Sequence, residues 1–216
     1  MVNPSPESLA PLRAVVFDIG RVLVSFDVRR AIENLARASE TDVARAETAL
    51  FGADRYRRFA RGHVDGAGYH AAFEAALALT GNAPAPMPFE RFRRAWCDMF
   101  WPLPGAPELL RDVAARLPTY LCSNTDPLHF EHLFATVPEL ALARGRALSY
   151  EVGAEKPAPE IFAVLTQRFG VRPQETLFVD DRADNIEGAR AAGFLGWFFT
   201  EPAPLREALT HAGVLR

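Results

Sequence analysis

The sequence predicts an α/β fold in which a parallel β-sheet is covered by helices on both faces and is interrupted after its first strand by an all-helical insertion. An unbroken apolar run, residues 14–17, leads directly to Asp18 and Gly20, as expected of a strand buried on both faces. Residues 28–100 show helical spacing of apolar residues and no convincing strand pattern. From residue 119 onward strand and helix patterns alternate, which is typical of parallel sheets.

Each element of this fold rests on a local pattern of apolar spacing, turn residues and helix-start residues. In the insertion we expect helices over residues 28–38, 41–51, 53–61, 69–79 and 87–100, with glycine-containing loops between them that include residues 81–88. After a proline-rich linker at residues 101–105 we expect strands over residues 119–122, 147–150, 176–179 and 194–198, and helices over 107–117, from Asp126-Pro127 onward, and over 159–169, 185–192 and 205–212. The predicted domains are a Rossmann-like, doubly wound core of residues 12–27 and 101–216, and a helical cap of residues 28–100 above the carboxyl ends of the strands.

Composition limits the classes of function. The 24 basic and 27 acidic residues give a net charge of -3, which does not favour nucleic acid as a partner. No apolar run reaches the length of a membrane span or a signal peptide, and the two cysteines, Cys97 and Cys122, suit a reducing compartment. We therefore expect a cytoplasmic protein that binds neither nucleic acid nor membrane, with a monomer and a homodimer both open.

Lysine is used once in this chain. Of the 24 basic residues 23 are arginine, and the exception is Lys156. An ammonium group is a compact point charge on a flexible stem, whereas a guanidinium is a planar fork, so the two differ most where a cation must enter a small anionic site. This makes Lys156 a candidate site residue, although a single lysine is also compatible with composition bias.

Polar side chains stand where four predicted strand ends meet the following loops. They are Asp18, Ser123 with Asn124, Lys156 before Pro157, and Asp180 with Asp181. Because the carboxyl ends of parallel strands share one edge of the sheet, these side chains can converge there. Each also has a structural explanation as a turn or helix-start residue. Their coincidence favours phosphoryl transfer to an aspartate.

That chemistry explains the residue types. Several carboxylates at one point repel one another unless a divalent cation lies among them, and Mg²⁺ prefers a few carboxylates together with water and a substrate phosphate. Asp18 and Asp181 are the predicted Mg²⁺ ligands. Lys156 adds positive charge, and Ser123 and Asn124 can bind phosphate oxygens.

The same stretches resemble the four motifs of the haloacid dehalogenase superfamily, in order and over nearly the whole chain. They are Phe17-Asp18-Ile19-Gly20, Ser123-Asn124, Lys156-Pro157 and Phe178-Val179-Asp180-Asp181. Two further stretches, Asp184-Asn185-Ile186-Glu187-Gly188-Ala189 and Arg61-Gly62, are similar to bacterial phosphatases of the glucose-1-phosphate phosphatase type. The resemblance implies a Mg²⁺-dependent phosphatase acting on a small phosphorylated metabolite, possible substrates including sugar phosphates, with a helical cap of the first type.

The resemblance also implies a role for each site residue. Asp18 is the nucleophile, and the Gly20 carbonyl joins Asp18 and Asp181 in holding Mg²⁺. Lys156 orients the nucleophile and contacts the phosphate, which Ser123 and Asn124 also bind. In this scheme Asp180 and Asn185 do not contact the metal or the substrate and instead hold the residues that do in place.

One position departs from the superfamily pattern. Most phosphatases of the superfamily carry an aspartate two residues after the nucleophile as acid and base, whereas this chain has Gly20. A positioned acid or base contributes about 10² to 10⁴ in rate, so its loss favours substrates with good leaving groups. His63, Asp65 and His70, in glycine-rich loops of the insertion, are candidate substitutes, although histidines in such loops are usually solvated.

Two other functions are compatible with Gly20. A 2-haloacid dehalogenase uses the same aspartate to attack carbon and needs no leaving-group acid, but Asp180 and Asp181 would repel a carboxylate substrate in the absence of a metal. A catalytically weak binding or regulatory protein would keep the fold without turnover, but the intact Asp18 and Lys156 favour an enzyme. Aromatic residues of the insertion could form a substrate surface or, as their helical spacing favours, its core; they are Tyr56, Phe59, Trp96, Phe100 and Trp101.

Overall fold

A computed structural model describes residues 1–79 and 85–216. Its described residues form seven strands: β1 (Ala14–Phe17), β2 (Val24–Phe26), β3 (Phe100–Pro102), β4 (Thr119–Ser123), β5 (Gly145–Leu148), β6 (Thr176–Asp180) and β7 (Leu195–Phe198). They also form the helices α1 (Pro6–Leu9), α2 (Val28–Ala38), α3 (Val43–Phe51), α4 (Arg55–Ala60), α5 (Gly66–Ala78), α6 (Phe89–Cys97), α7 (Ala106–Ala114), α8 (Pro127–Thr136), α9 (Ser149–Val152), α10 (Pro159–Phe169), α11 (Ala183–Ala191) and α12 (Pro202–His211), with three short 3₁₀ turns.

Five parallel strands form the central sheet in the order β5-β4-β1-β6-β7. The side chains of β1 alternate between two apolar clusters, because successive residues of a strand point to opposite faces. Val15 and Phe17 pack with residues of α7, α8 and α12, while Ala14 and Val16 pack with residues of α10 and α11. Helices therefore cover both faces, and the predicted α/β class with a Rossmann-like sheet is confirmed.

The chain leaves and re-enters the core through a small antiparallel sheet. In it Val24 pairs with Pro102 and Phe26 pairs with Phe100. Between these strands, helices α2 to α6 bury an apolar cluster of their own, to which the core contributes Leu128. This arrangement fits a cap, and the boundaries at residues 28 and 100 stay a prediction.

Most predicted elements are present, with some shifts at their ends. The helices over residues 28–38 and 159–169 match at both ends, and the Asp27 side chain caps the first by accepting a hydrogen bond from the Arg29 amide at 2.9 Å. Part of the predicted loop over 81–88 lies outside the described residues. No helix in the described part of the chain combines the length and apolarity that a membrane crossing requires.

Two details of the predicted secondary structure are wrong. Strand β3 starts at Phe100, where the sequence pattern predicts the end of a helix, and that helix ends at Cys97 instead. The strand expected over residues 147–150 ends at Leu148, and Ser149–Val152 forms a helical turn. In both cases a strand is only three or four residues long, so its pairing partner decides its ends rather than its own periodicity.

Candidate active site

Three strand ends bring the predicted acidic and hydroxyl side chains to one edge of the sheet. Asp18 follows β1, Ser123 ends β4 and Asp180 ends β6. Because β1 lies between β4 and β6, the three residues are neighbours. The convergence predicted for parallel strand ends is therefore present.

Lys156 joins two of these strand ends. Its Nζ lies 2.9 Å from Asp18 Oδ1 and 2.6 Å from Asp180 Oδ2, and it donates a hydrogen bond to the Cys122 carbonyl at 2.7 Å. The Lys156 side chain is only 1% exposed. The side chain of the single lysine is thus buried between two carboxylates, where a guanidinium fork would need more space.

Asp180 is held from several sides at the end of β6. Asn185 Nδ2 donates to both of its carboxylate oxygens, at 3.0 and 3.1 Å, and the Arg182 amide donates to Oδ1 at 2.9 Å. With Lys156 on Oδ2, both oxygens are engaged. Asp180 and Asn185 therefore stand where a supporting role, as the resemblance implies, is stereochemically reasonable.

Burial and neighbouring charges shift the acidity of these groups. Burial raises the pKa of Asp18 to about 6, because the favourable charge of Lys156 only partly offsets desolvation and the repulsion from Asp180. Burial and Asp180 also raise the pKa of Asp181, against the lowering effect of Lys156 and Arg21. For Lys156, burial acts to lower the pKa, but Asp18 and Asp180 outweigh it and the pKa lies above its usual value.

The carboxylates of Asp18, Asp180 and Asp181 can converge on one cation. Each offers an oxygen, and the three oxygens lie within 4.8 Å of one another. Asp18 Oδ1 is buried and lies 2.9 Å from Lys156 Nζ. A buried oxygen of this kind beside two further carboxylates fits a hard divalent metal such as Mg²⁺.

Asn124 contacts Lys156 through its side chain. Its Nδ2 donates to the Lys156 carbonyl at 2.9 Å, and its Oδ1 accepts from the Lys156 amide at 2.7 Å. Sequence reasoning assigned Asn124 to phosphate binding and did not anticipate this contact. Ser123 is buried and lines a cavity of about 100 Å³ together with Asn124 and Gly20.

The space beside Gly20 is occupied by an aromatic ring. A Cβ atom added at Gly20 would lie 2.8 Å from Cε1 of Phe26. The three substitutes considered from sequence do not line the adjoining cavity: Asp65 caps α5, and His70 packs against Phe89 and Phe92 within the cap. His63 is likewise absent from its lining.

A buried polar cluster at the start of α8 escaped the sequence analysis. Asp126 Oδ2 lies 2.8 Å from His129 Nδ1 and accepts from Trp96 Nε1 at 3.3 Å, and His129 Nε2 lies 3.2 Å from the Trp96 carbonyl. This cluster connects α6 of the cap to α8 of the core, and His129 lines the cavity beside Gly20. Asp126-Pro127 predicted only a helix start, and nothing local indicated the contact with Trp96.

The cap also contacts the core beside Lys156. Arg61 Nε donates to Glu155 Oε2 at 2.8 Å, and a Cβ atom at the neighbouring Gly62 would lie 2.1 Å from the Tyr150 carbonyl oxygen. Gly62 has a φ of 70°, so it combines a left-handed conformation with close backbone contact. The Arg61-Gly62 stretch therefore lies at the junction of cap and core.

The sheet topology gives the chain a Rossmann-like core in which three strand ends and Lys156 meet at one edge. Residues 12–193 match the family of haloacid dehalogenase-like hydrolases, and the chain belongs to that family. The resemblance indicated by the four motifs is thereby confirmed.

Individual relatives show how far the likeness extends. The chain is 29% identical to a D-ribitol-5-phosphate phosphatase of Bacteroides thetaiotaomicron, over 92% of this chain and 97% of that protein. A solved structure of the HAD family enzyme BT-2542 from Bacteroides thetaiotaomicron, in complex with magnesium and inorganic phosphate, has a TM-score of 0.76 at 22% identity and covers 88% of this chain and 95% of that one. The L-2-haloacid dehalogenase of Xanthobacter autotrophicus has a TM-score of 0.59 at 24% identity over 92% of this chain and 83% of that one. The two structures demonstrate a shared fold.

Proposed function

We propose that this protein is a Mg²⁺-dependent phosphatase that hydrolyses a small phosphorylated metabolite through an aspartyl phosphate on Asp18. The observation that carries this proposal is the buried Lys156 ammonium, 2.9 Å from Asp18 and 2.6 Å from Asp180 at the strand-end edge. A dehalogenase acting on a carboxylate substrate would gain little from the further carboxylate of Asp181 beside this pair. Phosphoryl transfer needs such carboxylates to hold a metal.

The metal ligands we propose are Asp18, Asp181 and the Gly20 carbonyl. Asp180 is less suited to direct ligation, because both of its oxygens already accept hydrogen bonds or contact Lys156. When bound, Mg²⁺ would supply positive charge that screens the substrate phosphate from the attacking carboxylate. The magnesium and phosphate in the BT-2542 structure support the choice of metal.

In the first step an oxygen of Asp18 attacks phosphorus. An O–P bond forms as the bond from phosphorus to the leaving oxygen breaks with its electron pair, and the leaving oxygen takes a proton from water. Lys156 holds Asp18 in place and adds positive charge, and Ser123, the backbone amide of Asn124 and Lys156 bind the phosphate oxygens.

In the second step water attacks the phosphorus of the aspartyl phosphate. The bond between phosphorus and Asp18 breaks, the water gives its proton to solvent, and inorganic phosphate leaves. Glycine has no side chain, and Phe26 fills the space beside Gly20, so neither step uses an acid or base at that position. Among substrates that bind equally well, those with good leaving groups are therefore favoured.

Acetyl phosphate, an activated and very small substrate, tests this proposal directly. We expect phosphate release that requires Mg²⁺ and is lost in Asp18→Asn but retained in Asp112→Asn, a surface variant at a residue paired with Arg206. Mass spectrometry of the acid-quenched protein should detect one added phosphoryl group on the peptide containing Asp18. D-ribitol 5-phosphate, the substrate named for the curated relative, is the first metabolite to assay.

Two outcomes would overturn the proposal. Halide release from 2-chloropropionate without phosphate release would indicate a dehalogenase. Absence of turnover with every phosphorylated compound in the presence of Mg²⁺, in a folded protein, would indicate a binding or regulatory protein.

A further inference from the structure

The cavity between the catalytic edge and the cap has the position expected of a leaving-group site. It encloses about 100 Å³ and is continuous with the proposed site, because Gly20, Ser123 and Asn124 line it. A substrate whose phosphate contacts Ser123 would therefore direct the rest of the molecule toward this cavity. What lines its other walls decides which alcohol fits.

Those walls are largely apolar and come from cap helices and from the hinge between cap and core. They include Phe26, Phe51, Tyr56, Trp96, Met99 and Phe100. The aromatic rings pack on one another, with centroids 5.5 Å apart for Phe51 and Tyr56 and 5.7 Å apart for Tyr56 and Trp96. Phe26 stands where an acid or base two residues after the nucleophile would otherwise project.

The polar part of the cavity lining includes two ring side chains, Trp96 and His129, and the three hydroxyl groups of Tyr56, Ser123 and Thr125. Trp96 Nε1 donates to Asp126, and the two ring nitrogens of His129 face Asp126 and the Trp96 carbonyl. Within the described residues no Asp, Glu, Lys or Arg side chain lines the cavity. A polyol placed here would lose water from several hydroxyl groups and find few partners in exchange, which is unfavourable.

We propose that the alcohol portion of the natural substrate is a small apolar group, a hydrocarbon of about four to six carbon atoms in view of the cavity size. This inference rests on the proposed phosphatase function. It separates this chain from a relative named for D-ribitol 5-phosphate, whose alcohol is rich in hydroxyl groups.

A matched pair of substrates tests the preference. 3-Methylbutyl phosphate and D-ribitol 5-phosphate are both five-carbon primary phosphate esters, and the second carries four additional hydroxyl groups. We expect kcat/KM to be at least about tenfold higher for 3-methylbutyl phosphate, the size of effect that small changes in apolar contact produce. Equal or better turnover of D-ribitol 5-phosphate would overturn the inference.

A pair of variants links the preference to the cavity. Phe51→Gln changes one wall, and Phe134→Gln changes a 43% exposed phenylalanine that does not line the cavity. The ratio of kcat/KM for the two substrates should fall about tenfold in Phe51→Gln and stay unchanged in Phe134→Gln. An unchanged ratio in a folded Phe51→Gln protein would count against the inference.

Inhibition of the unmodified protein gives a second measurement that does not depend on a variant folding. 3-Methylbutylphosphonate should inhibit acetyl phosphate hydrolysis at least about tenfold more tightly than methylphosphonate. Equal inhibition by the two phosphonates would overturn the inference while the proposed function stands. Absence of hydrolysis of acetyl phosphate and of every other phosphorylated compound would instead overturn the proposed function itself.

Discussion

The side chain of Asn124 forms two hydrogen bonds with the main chain of Lys156. Nδ2 of Asn124 donates to the Lys156 carbonyl at 2.9 Å, and Oδ1 of Asn124 accepts from the Lys156 backbone N–H at 2.7 Å. The Asn124 side chain therefore takes the place of a pair of backbone hydrogen bonds between segments 32 residues apart. Lys156 Nζ reaches Asp18 and Asp180 from this fixed backbone. The contact makes Asn124 a positioning residue for the ammonium group.

Asn124→Ala should therefore lower kcat with acetyl phosphate by about 10²-fold, because a displacement of about 1 Å at a reacting group has effects of that size. The inhibition constant of inorganic phosphate should change much less. Asn34→Ala, which removes a side chain bonded to Asp98 in the cap, is the control and should leave kcat unaltered. A loss confined to phosphate affinity would contradict the positioning role.

Lys156→Met should reduce both stability and turnover. Without the ammonium group, Asp18 and Asp180 would face each other uncompensated, and breaking a buried ion pair from one side costs about 3 to 5 kcal/mol in free energy of unfolding. We expect kcat/KM to fall roughly 10²- to 10³-fold. Urea unfolding and acetyl phosphate kinetics measure the two effects.

The control for this variant is Arg182→Met. Arg182 pairs with Asp184 on the surface, and its side chain is 64% exposed, so its loss should have little effect on stability. Similar stability of the Lys156→Met and parent proteins would show that the buried charges are compensated in another way.

The stability of the metal-free protein should depend on the protonation of Asp18. Its pKa is raised from 3.8 to about 6 on folding, so the favourable contribution of the protonated form is complete below pH 3.8 and is lost as pH rises through 6. A shift of this size corresponds to at most about 3 kcal/mol in free energy of unfolding. The Asp18→Asn variant should not show this decrease in the free energy of unfolding with rising pH.

Urea unfolding in EDTA at several pH values between 4.5 and 7.5 measures this difference. The stability of Asp18→Asn relative to the parent protein should increase with pH over that range. Addition of Mg²⁺ at pH 7.5 should stabilise the parent protein, since binding to the folded state at 100 times the dissociation constant contributes about 2.7 kcal/mol. A difference that does not change with pH would contradict the pKa shift.

Gly20→Asp should not restore general acid catalysis by itself. A side chain at this position meets the Phe26 ring, 2.8 Å from the added Cβ, so we expect the variant to lose activity on 3-methylbutyl phosphate and D-ribitol 5-phosphate alike. The double variant Gly20→Asp with Phe26→Ala has room for the carboxyl group. It should exceed the single variant by about tenfold or more on D-ribitol 5-phosphate, and equal activities would contradict the steric argument.

Two glycine variants separate backbone strain from contact between cap and core. Gly62 and Gly153 have φ of 70° and 79°, but a Cβ at Gly62 would meet the Tyr150 carbonyl oxygen at 2.1 Å, whereas one at Gly153 would meet nothing within 4 Å. Gly153→Ala should cost about 1 to 2 kcal/mol through its conformation alone. Gly62→Ala should cost more and also reduce kcat/KM about tenfold, because the cap can no longer sit against the core.

Urea unfolding and acetyl phosphate kinetics of the two variants make this comparison. Equal losses in both would show that the approach of Gly62 to Tyr150 has no energetic consequence beyond backbone conformation.

Strong local signals were sufficient for the long elements. Helix α10 starts at Pro159 and ends before Gly170, as the residues that favour a helix start and a left-handed cap predict. The short strands β2 and β3 could not be predicted, because three residues carry too little periodicity and the partner of Phe26 is Phe100, far along the chain.

The sequence by itself determined the parallel sheet, the helical insertion and the chemical groups at the strand ends. That was possible because parallel strands all end at one edge, so position along the chain specifies position in space for Asp18, Ser123 and Asp180. Only the tertiary structure decided which partners these groups take. Packing of the cap and loops against the core decides three features that no local pattern encodes. They are the hydrogen bonds between Asn124 and Lys156, the position of the Phe26 ring beside Gly20, and the apolar cavity under the cap.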